Sequence, residues 1–136
     1  MDKTSLASLN VVMGLMGAMR SGDMDTMANL MADDMVWHNE ADAALPWIGP
    51  WNGKEEIFTF LPVFGEKIQT TKRGNADVLT SGDTVAVIGN MNGITTKSGK
   101  EIGDFTFALC AKVRDGKVVL WNWFEDSYAV SKSYHG

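Results

Sequence analysis

The chain has 136 residues, the size of one ordinary domain, with 45% hydrophobic and 21% charged residues as in typical globular proteins. Its formal net charge of -5 and its scattered lysines and arginines argue against a nucleic-acid partner, because binding a polyanion needs a clustered basic surface. The single cysteine, Cys110, excludes an intrachain disulfide. The sequence shows neither a membrane-spanning apolar run nor a secretory signal, so we expect one cytoplasmic domain without a membrane partner.

The first part of the chain predicts a pair of helices. Apolar residues recur at spacings of three and four over residues 5–20, a pattern typical of one helix face. Gly22 is placed to end this helix, and Asp23 is placed to cap a second helix over 24–31. The second helix continues a methionine-rich stripe that favours core packing. The residues predicted to share the buried face of the first helix are Leu6, Leu9, Met13 and Met16.

A strand and a third helix are predicted next. Residues 35–39 are rich in strand formers, and the segment 40–52 contains glycine and proline breakers and is expected to be irregular. The third helix is predicted to start near Lys54, and Pro62 should kink or end it.

The rest of the chain predicts an antiparallel meander. Asp115-Gly116 is a strong hairpin signal, because this pair tolerates the positive φ of a tight turn. The pattern therefore indicates an α+β fold in which a curved, mainly antiparallel sheet forms a cone wrapped on three helices. The predicted strands lie near 68–80, 84–95, 101–113 and 117–126.

Several segments together indicate a family. They cover nearly the whole chain and comprise residues 22–25, 30–39, 49–55 and 115–126. In these segments the sequence resembles the SnoaL-like branch of the ketosteroid-isomerase and nuclear-transport-factor-two-like superfamily. The resemblance implies a cystatin-like cone and a homodimer formed through the convex sheet face. It does not select a reaction, because this superfamily includes isomerases, cyclases, epoxide hydrolases and non-catalytic binders.

Some of the functional residues that the resemblance implies are present in this sequence, and others are absent. The catalytic aspartate that SnoaL-like cyclases and limonene-epoxide hydrolases carry at the end of the last strand falls on Asp126. The tyrosine and asparagine of the epoxide hydrolases fall on Trp37 and Asn39, so only the amide is kept. Their arginine–aspartate pair falls near Gly89 and Met91 and is absent.

The steroid-isomerase groups are also absent. The base on the first strand falls on Asn39, the helix-one tyrosine falls on Leu15, and the protonated aspartic acid falls on Ala108. We therefore do not expect a steroid isomerase.

The candidate catalytic residues are Asp126, which would transfer the proton, and His38 or Asn39, which would hold the substrate oxygen. A carboxylate at a strand end beside aromatic residues is a general acid or base if it faces an apolar cavity, and a helix cap if it faces solvent. Glu125 competes with Asp126, because adjacent strand residues point to opposite faces. By the same alternation, either His38 or the pair Trp37 and Asn39 faces the cavity.

The pocket is expected to hold a small apolar molecule without a cofactor or metal ion. Trp47 and Trp51 either form a hydrophobic lid over the mouth of the cone or pack in the core. The sequence favours an acid–base enzyme acting on a small carbonyl or cyclic compound, and the alternatives are a non-catalytic ligand-binding protein and a dimeric interaction module. The expected wall residues are Trp37, Trp47, Trp51, Phe60, Phe105, Trp121 and Trp123.

Overall fold

A computed structural model describes residues 1–136 of the chain, apart from the side chain of Ala76. Helices pack on the concave side of one strongly curved sheet, so the predicted α+β cone is confirmed. In chain order the elements are α1 (Lys3–Ser21), α2 (Met24–Leu30), β1 (Met31–Glu40), β2 (Trp51–Asn52), α3 (Lys54–Lys67), β3 (Ile68–Ser81), β4 (Thr84–Thr95), β5 (Lys100–Glu101), β6 (Phe105–Arg114), β7 (Lys117–Phe124) and α4 (Ser127–His135).

The sheet is mixed, and its order places the first and last long strands side by side. The strands follow the order β2-β1-β7-β6-β4-β3, and β5 pairs with β4. The β1–β7 pair is parallel and the other pairs are antiparallel. This arrangement brings the ends of β1 and β7 together, with Asn39 opposite Trp123 in the register.

Both predicted signals between α1 and α2 are confirmed. Gly22 adopts φ 73° after α1, and the Asp23 carboxylate accepts a hydrogen bond of 3.1 Å from the Thr26 backbone N–H. The predicted buried face of α1 is only partly right, because Leu6 is exposed and Ser5 is buried. The Ser5 hydroxyl accepts a hydrogen bond of 2.8 Å from the Gly82 backbone N–H, which turns this side of the helix towards the β3–β4 turn.

Of the two alternatives predicted for Pro62, a kink or a helix end, the helix end is excluded, because α3 continues to Lys67. Proline in a helix interior removes one backbone hydrogen bond, but tertiary packing can compensate for that loss. The compensating contacts come from the apolar face of α3, where Ile57 and Phe60 are buried against the sheet.

The C-terminal segment forms a fourth helix, α4, in addition to the three helices that the sequence predicts. In α4, Val130 and Ser133 are buried. The Ser133 hydroxyl lies 2.7 Å from the Thr95 hydroxyl and donates a bond of 2.7 Å to the Lys100 carbonyl. These hydroxyl contacts fix α4 to β4 and β5, so the helix is part of the fold.

The convex face of the sheet presents apolar side chains to solvent. Ile88 of β4 and Phe124 of β7 are 37% and 40% exposed. The homodimer expected through this face stays a prediction. Among the described helices, none has the length and apolar character needed to cross a membrane.

Candidate functional site

The alternation of side chains along β7 decides which carboxylate faces inward. Trp121 and Trp123 lie on the concave face, so Glu125 lies on it as well, whereas Phe124 and Asp126 point outward. Asp126 is exposed and caps α4, and its carboxylate accepts a hydrogen bond of 3.0 Å from the Ala129 backbone N–H. The cap role that the sequence allowed for Asp126 is therefore the one seen. Glu125 replaces it as the candidate acid–base group.

Glu125 combines burial with an incomplete set of hydrogen bonds. Its Oε1 accepts a bond of 2.9 Å from the indole N–H of Trp123, while its Oε2 is buried without a partner among the described residues. Burial, with a smaller contribution from the negative charge of Asp126, raises the pKa of Glu125 to about 7 although the Trp123 bond lowers it. A carboxyl group of this kind exchanges protons near neutral pH.

Glu125 lies at an open cleft of about 520 Å³ between the ends of β6 and β7. By strand alternation, Phe105, Phe107 and Glu125 belong to the concave face, and the other lining residues belong to the convex face. A small cyclic compound fits a space of this size. The lining residues are Asp104, Phe105, Thr106, Phe107, Ala108, Phe124, Glu125 and Asp126.

Trp123, which donates a hydrogen bond to Glu125, also contacts a second aromatic ring and an arginine. Phe107 and Trp123 are stacked with their ring centroids 4.6 Å apart and their planes 13° apart. The guanidinium carbon of Arg73 lies 5.3 Å from the Phe107 centroid and 5.5 Å from the Trp123 centroid. Trp123 therefore contacts a cation through its ring and a carboxylate through its N–H.

Unpaired polar atoms are concentrated on this concave face. The buried atoms without a partner among the described side chains are Arg73 Nε, Trp121 Nε1, Asn122 Oδ1 and Glu125 Oε2. Only Asn122 belongs to the convex face by the β7 alternation. Because buried polar groups are normally hydrogen-bonded, such a concentration is typical of a ligand site.

On β1 the structure selects the pair Trp37 and Asn39 as the inward residues. Trp37 donates its indole N–H to Asn39 Oδ1 at 3.0 Å, and Asn39 Nδ2 donates to the carbonyls of Trp47 and Ile48 at 3.3 and 3.2 Å. All these bonds lie within the protein, so Asn39 holds the segment 40–50 rather than a substrate. His38 points outward and lies 3.0 Å from Glu40, which does not bring it to Glu125.

Most of the expected wall residues form the core of the cone. Trp37, Trp47, Phe60 and Trp121 are 1–8% exposed, and Trp51 stacks on Phe60 with centroids 4.8 Å apart. Trp47 packs edge-on against Tyr134 of α4, which favours core packing over a lid. Phe105 lines the cleft and Trp123 contacts Glu125, so these two of the expected residues belong to the site.

The sequence interpretation did not identify Arg73 or Phe107. Phe107 follows from the alternation along β6, which also places Phe105 inward. Arg73 follows from no simple alternation, because a register shift between Thr70 and Lys72 brings it opposite Met91 on the concave face. Strict alternation of side chains from Ile68 would place the Arg73 side chain on the convex face of the sheet.

Among the described residues, no group of three or more histidine, cysteine, aspartate or glutamate side chains is arranged to hold a metal ion. The cleft is lined by three carboxyl groups, one hydroxyl group and three phenylalanines, whereas Arg73, Trp121 and Trp123 belong to the same concave face of the sheet but do not line the cleft. Such groups transfer protons and hold anions or planar molecules.

Solved structures share this fold along nearly the whole chain. A nuclear-transport-factor-two-like protein from Burkholderia xenovorans aligns with a TM-score of 0.88 and 18% identity, covering 98% of this chain and 99% of that one. A putative SnoaL-like polyketide cyclase from a Jannaschia species aligns with a TM-score of 0.80 and 18% identity, covering 98% and 95%. An M. tuberculosis epoxide hydrolase aligns with a TM-score of 0.73 and 18% identity, covering 99% and 89%. At these identities the likeness shows the fold alone.

No protein of curated function matches the sequence. The family model for the SnoaL-like domain matches residues 12–121, which is most of the chain and includes the sheet except for the last three residues of β7. The chain therefore belongs to the SnoaL-like family.

Proposed function

We propose that the protein is an enzyme that transfers protons on a small, mostly apolar carbonyl or cyclic compound, with Glu125 as the acid–base group. The observation that supports this most is the geometry of Glu125, which is largely buried at the cleft with one oxygen held by Trp123 and the other unpaired. A held carboxylate with a free oxygen is arranged to take a proton from a bound molecule.

The chemistry requires no group beyond the carboxylate. As a base, Glu125 takes a proton from the carbon next to a carbonyl group, and the C–H electron pair becomes the enolate. As an acid, it returns the proton to the same or another carbon. With a pKa raised to about 7, the carboxyl group is present in both forms near neutral pH.

Binding without turnover is the second candidate function. The interior of the cone is filled by Trp37, Trp47 and Trp121, so the polar groups lie at an open cleft rather than in an enclosed cavity. Water competes with substrate groups at an open cleft, which weakens electrostatic catalysis but permits ligand binding.

Replacement of Glu125 by glutamine tests the two functions. We expect the wild-type protein to accelerate the ring opening of 5-nitrobenzisoxazole, in which a base removes the C–H proton, the C–N bond becomes a nitrile and the N–O bond breaks. Absorbance of the released nitrophenolate measures the rate. Glu125→Gln should lower this rate by at least about tenfold, because an amide does not accept the proton.

The matched control is Asp77→Asn, which converts an exposed carboxylate outside the cleft to an amide and should leave the rate unchanged. The wild-type rate should also rise as the pH passes through about 7, where Glu125 ionises. Equal rates in the wild type and Glu125→Gln, with ligand binding intact, would leave only the binding function.

A further inference from the structure

Arg73 is a cation that the rest of the protein does not neutralise. It lies on β3 opposite Met91 of β4, and its Nε atom is buried without a hydrogen-bond partner. The ion pairs formed by the described residues do not include Arg73. The neighbouring charge that acts on it is Arg20, and burial together with that positive charge lowers the pKa of Arg73.

A partly buried cation without a counterion is costly, because it loses water and gains no opposite charge. The protein carries 17 acidic residues and a net charge of -5, so acidic partners are plentiful elsewhere on the chain. Lys72, the adjacent residue, lies 3.6 Å from Asp104, whereas Arg73 contacts two aromatic rings. An anion from outside the chain would complete the hydrogen bonds of its guanidinium group.

The position of the Phe107 ring beneath Arg73 depends on the space that a glycine leaves. A Cβ atom at Gly89 would lie 2.7 Å from Phe107 Cζ and closer still to the Gly74 carbonyl, so a larger residue would displace the ring. Gly89 thus lets the stacked pair of Phe107 and Trp123 lie close to β4. The pair holds the guanidinium by cation–π contacts and leaves its polar edge available.

We propose that Arg73 binds an acidic group of the ligand, and that the ligand class is a planar or cyclic carbonyl compound that carries a carboxylate. This deepens the proposed function, since it names the substrate class for the cleft at which Glu125 transfers the proton. Trp123 contacts Arg73 through its ring and Glu125 through its N–H, so we expect a flat molecule bound at Arg73 to extend along Trp123 towards Glu125.

The test compares two probes of equal shape, 2-naphthoate and 2-naphthamide, by isothermal titration calorimetry. At about pH 6, Glu125 is mostly neutral and does not repel the anion. We expect the wild-type protein to bind the naphthoate at least about tenfold more tightly than the naphthamide, as charge-assisted hydrogen bonds provide.

The Arg73→Gln variant should bind both probes equally, with its affinity for the naphthamide unchanged. Arg73→Lys should keep part of the preference, because lysine keeps the charge but not the planar fork. The matched control is Lys72→Gln, which removes one positive charge from the adjacent residue and should leave the preference within about twofold.

Equal affinities for the two probes in the wild type, or no binding of either probe, would overturn the proposal. Equal losses in Arg73→Gln and Lys72→Gln would also overturn it, since they would show a general charge effect. The comparison of probes in the wild type holds even if Arg73→Gln does not fold. Glu125→Gln should lose proton transfer but keep the preference for the naphthoate. The two measurements therefore distinguish a failure of proton transfer from a failure of anion binding.

Discussion

Raising the pH from about 5 to about 8 should lower the free energy of unfolding of the wild-type protein by about 2.5 kcal/mol more than that of Glu125→Gln. The cause is the pKa of Glu125, which burial raises to about 7 in the folded protein from its ordinary value of 4.5. Because the folded state holds the proton more tightly, the contribution to stability is complete below the unfolded pKa and is lost as the pH rises through the folded pKa.

Urea unfolding, followed by tryptophan fluorescence at both pH values, measures this difference. Subtracting the result for Glu125→Gln removes the effect of every other titrating group that the two proteins share. Asp77→Asn is the control, because it converts an exposed carboxylate outside the cleft to an amide and should keep the difference from Glu125→Gln. Parallel pH profiles for wild type and Glu125→Gln would contradict the burial of this carboxyl group.

Asn39→Ala should lower the free energy of unfolding by about 3 kcal/mol, because it removes several buried hydrogen bonds at once. The change leaves the indole N–H of Trp37 and the carbonyl of Ile48 without their partner, and the Trp47 carbonyl keeps only its bond from Trp51. Denaturant titration measures the loss. Among the folded molecules, proton transfer should continue, since Asn39 does not line the cleft.

Asn90→Ala is the matched control for this substitution. Asn90 also lies in a strand, but it is exposed and accepts one long bond of 3.3 Å from the Thr106 hydroxyl. Its removal should change the free energy of unfolding by less than about 0.5 kcal/mol. Loss of proton transfer in folded Asn39→Ala, without a loss of stability, would restore Asn39 as a catalytic residue.

Local signals were sufficient to predict most elements of the fold. Gly22 and Asp23 mark a helix end and a helix start because a left-handed glycine and a capping carboxylate act within a few residues. The continuation of α3 beyond Pro62 depends on the packing of its apolar face on the sheet, and no local sequence pattern shows that contact. The same reason explains α4, which is fixed by Thr95 and other distant residues.

At the end of β7 the sequence indicated Asp126 with Glu125 as its competitor, and on β3 it indicated no candidate residue. Alternation from Trp121 and Trp123 leads to Glu125, but the resemblance to the family pointed to its neighbour Asp126. Arg73 could not be placed, because its orientation depends on the register shift at Thr70 in the β3–β4 pairing. Pairing with a distant strand sets such a shift, and the sequence of one strand does not show it.

The openness of the cleft beside Glu125 affects the fate of any hydrogen atom that passes through this carboxyl group. We expect a proton on this largely buried carboxyl group to be replaced by one from bulk water between arrival and return, because the adjoining cleft is open. In deuterium oxide the product would then carry the isotope of the medium at the reprotonated carbon. The chemistry at this cleft is thus suited to exchange with water rather than to the internal relay of a single hydrogen between two carbons.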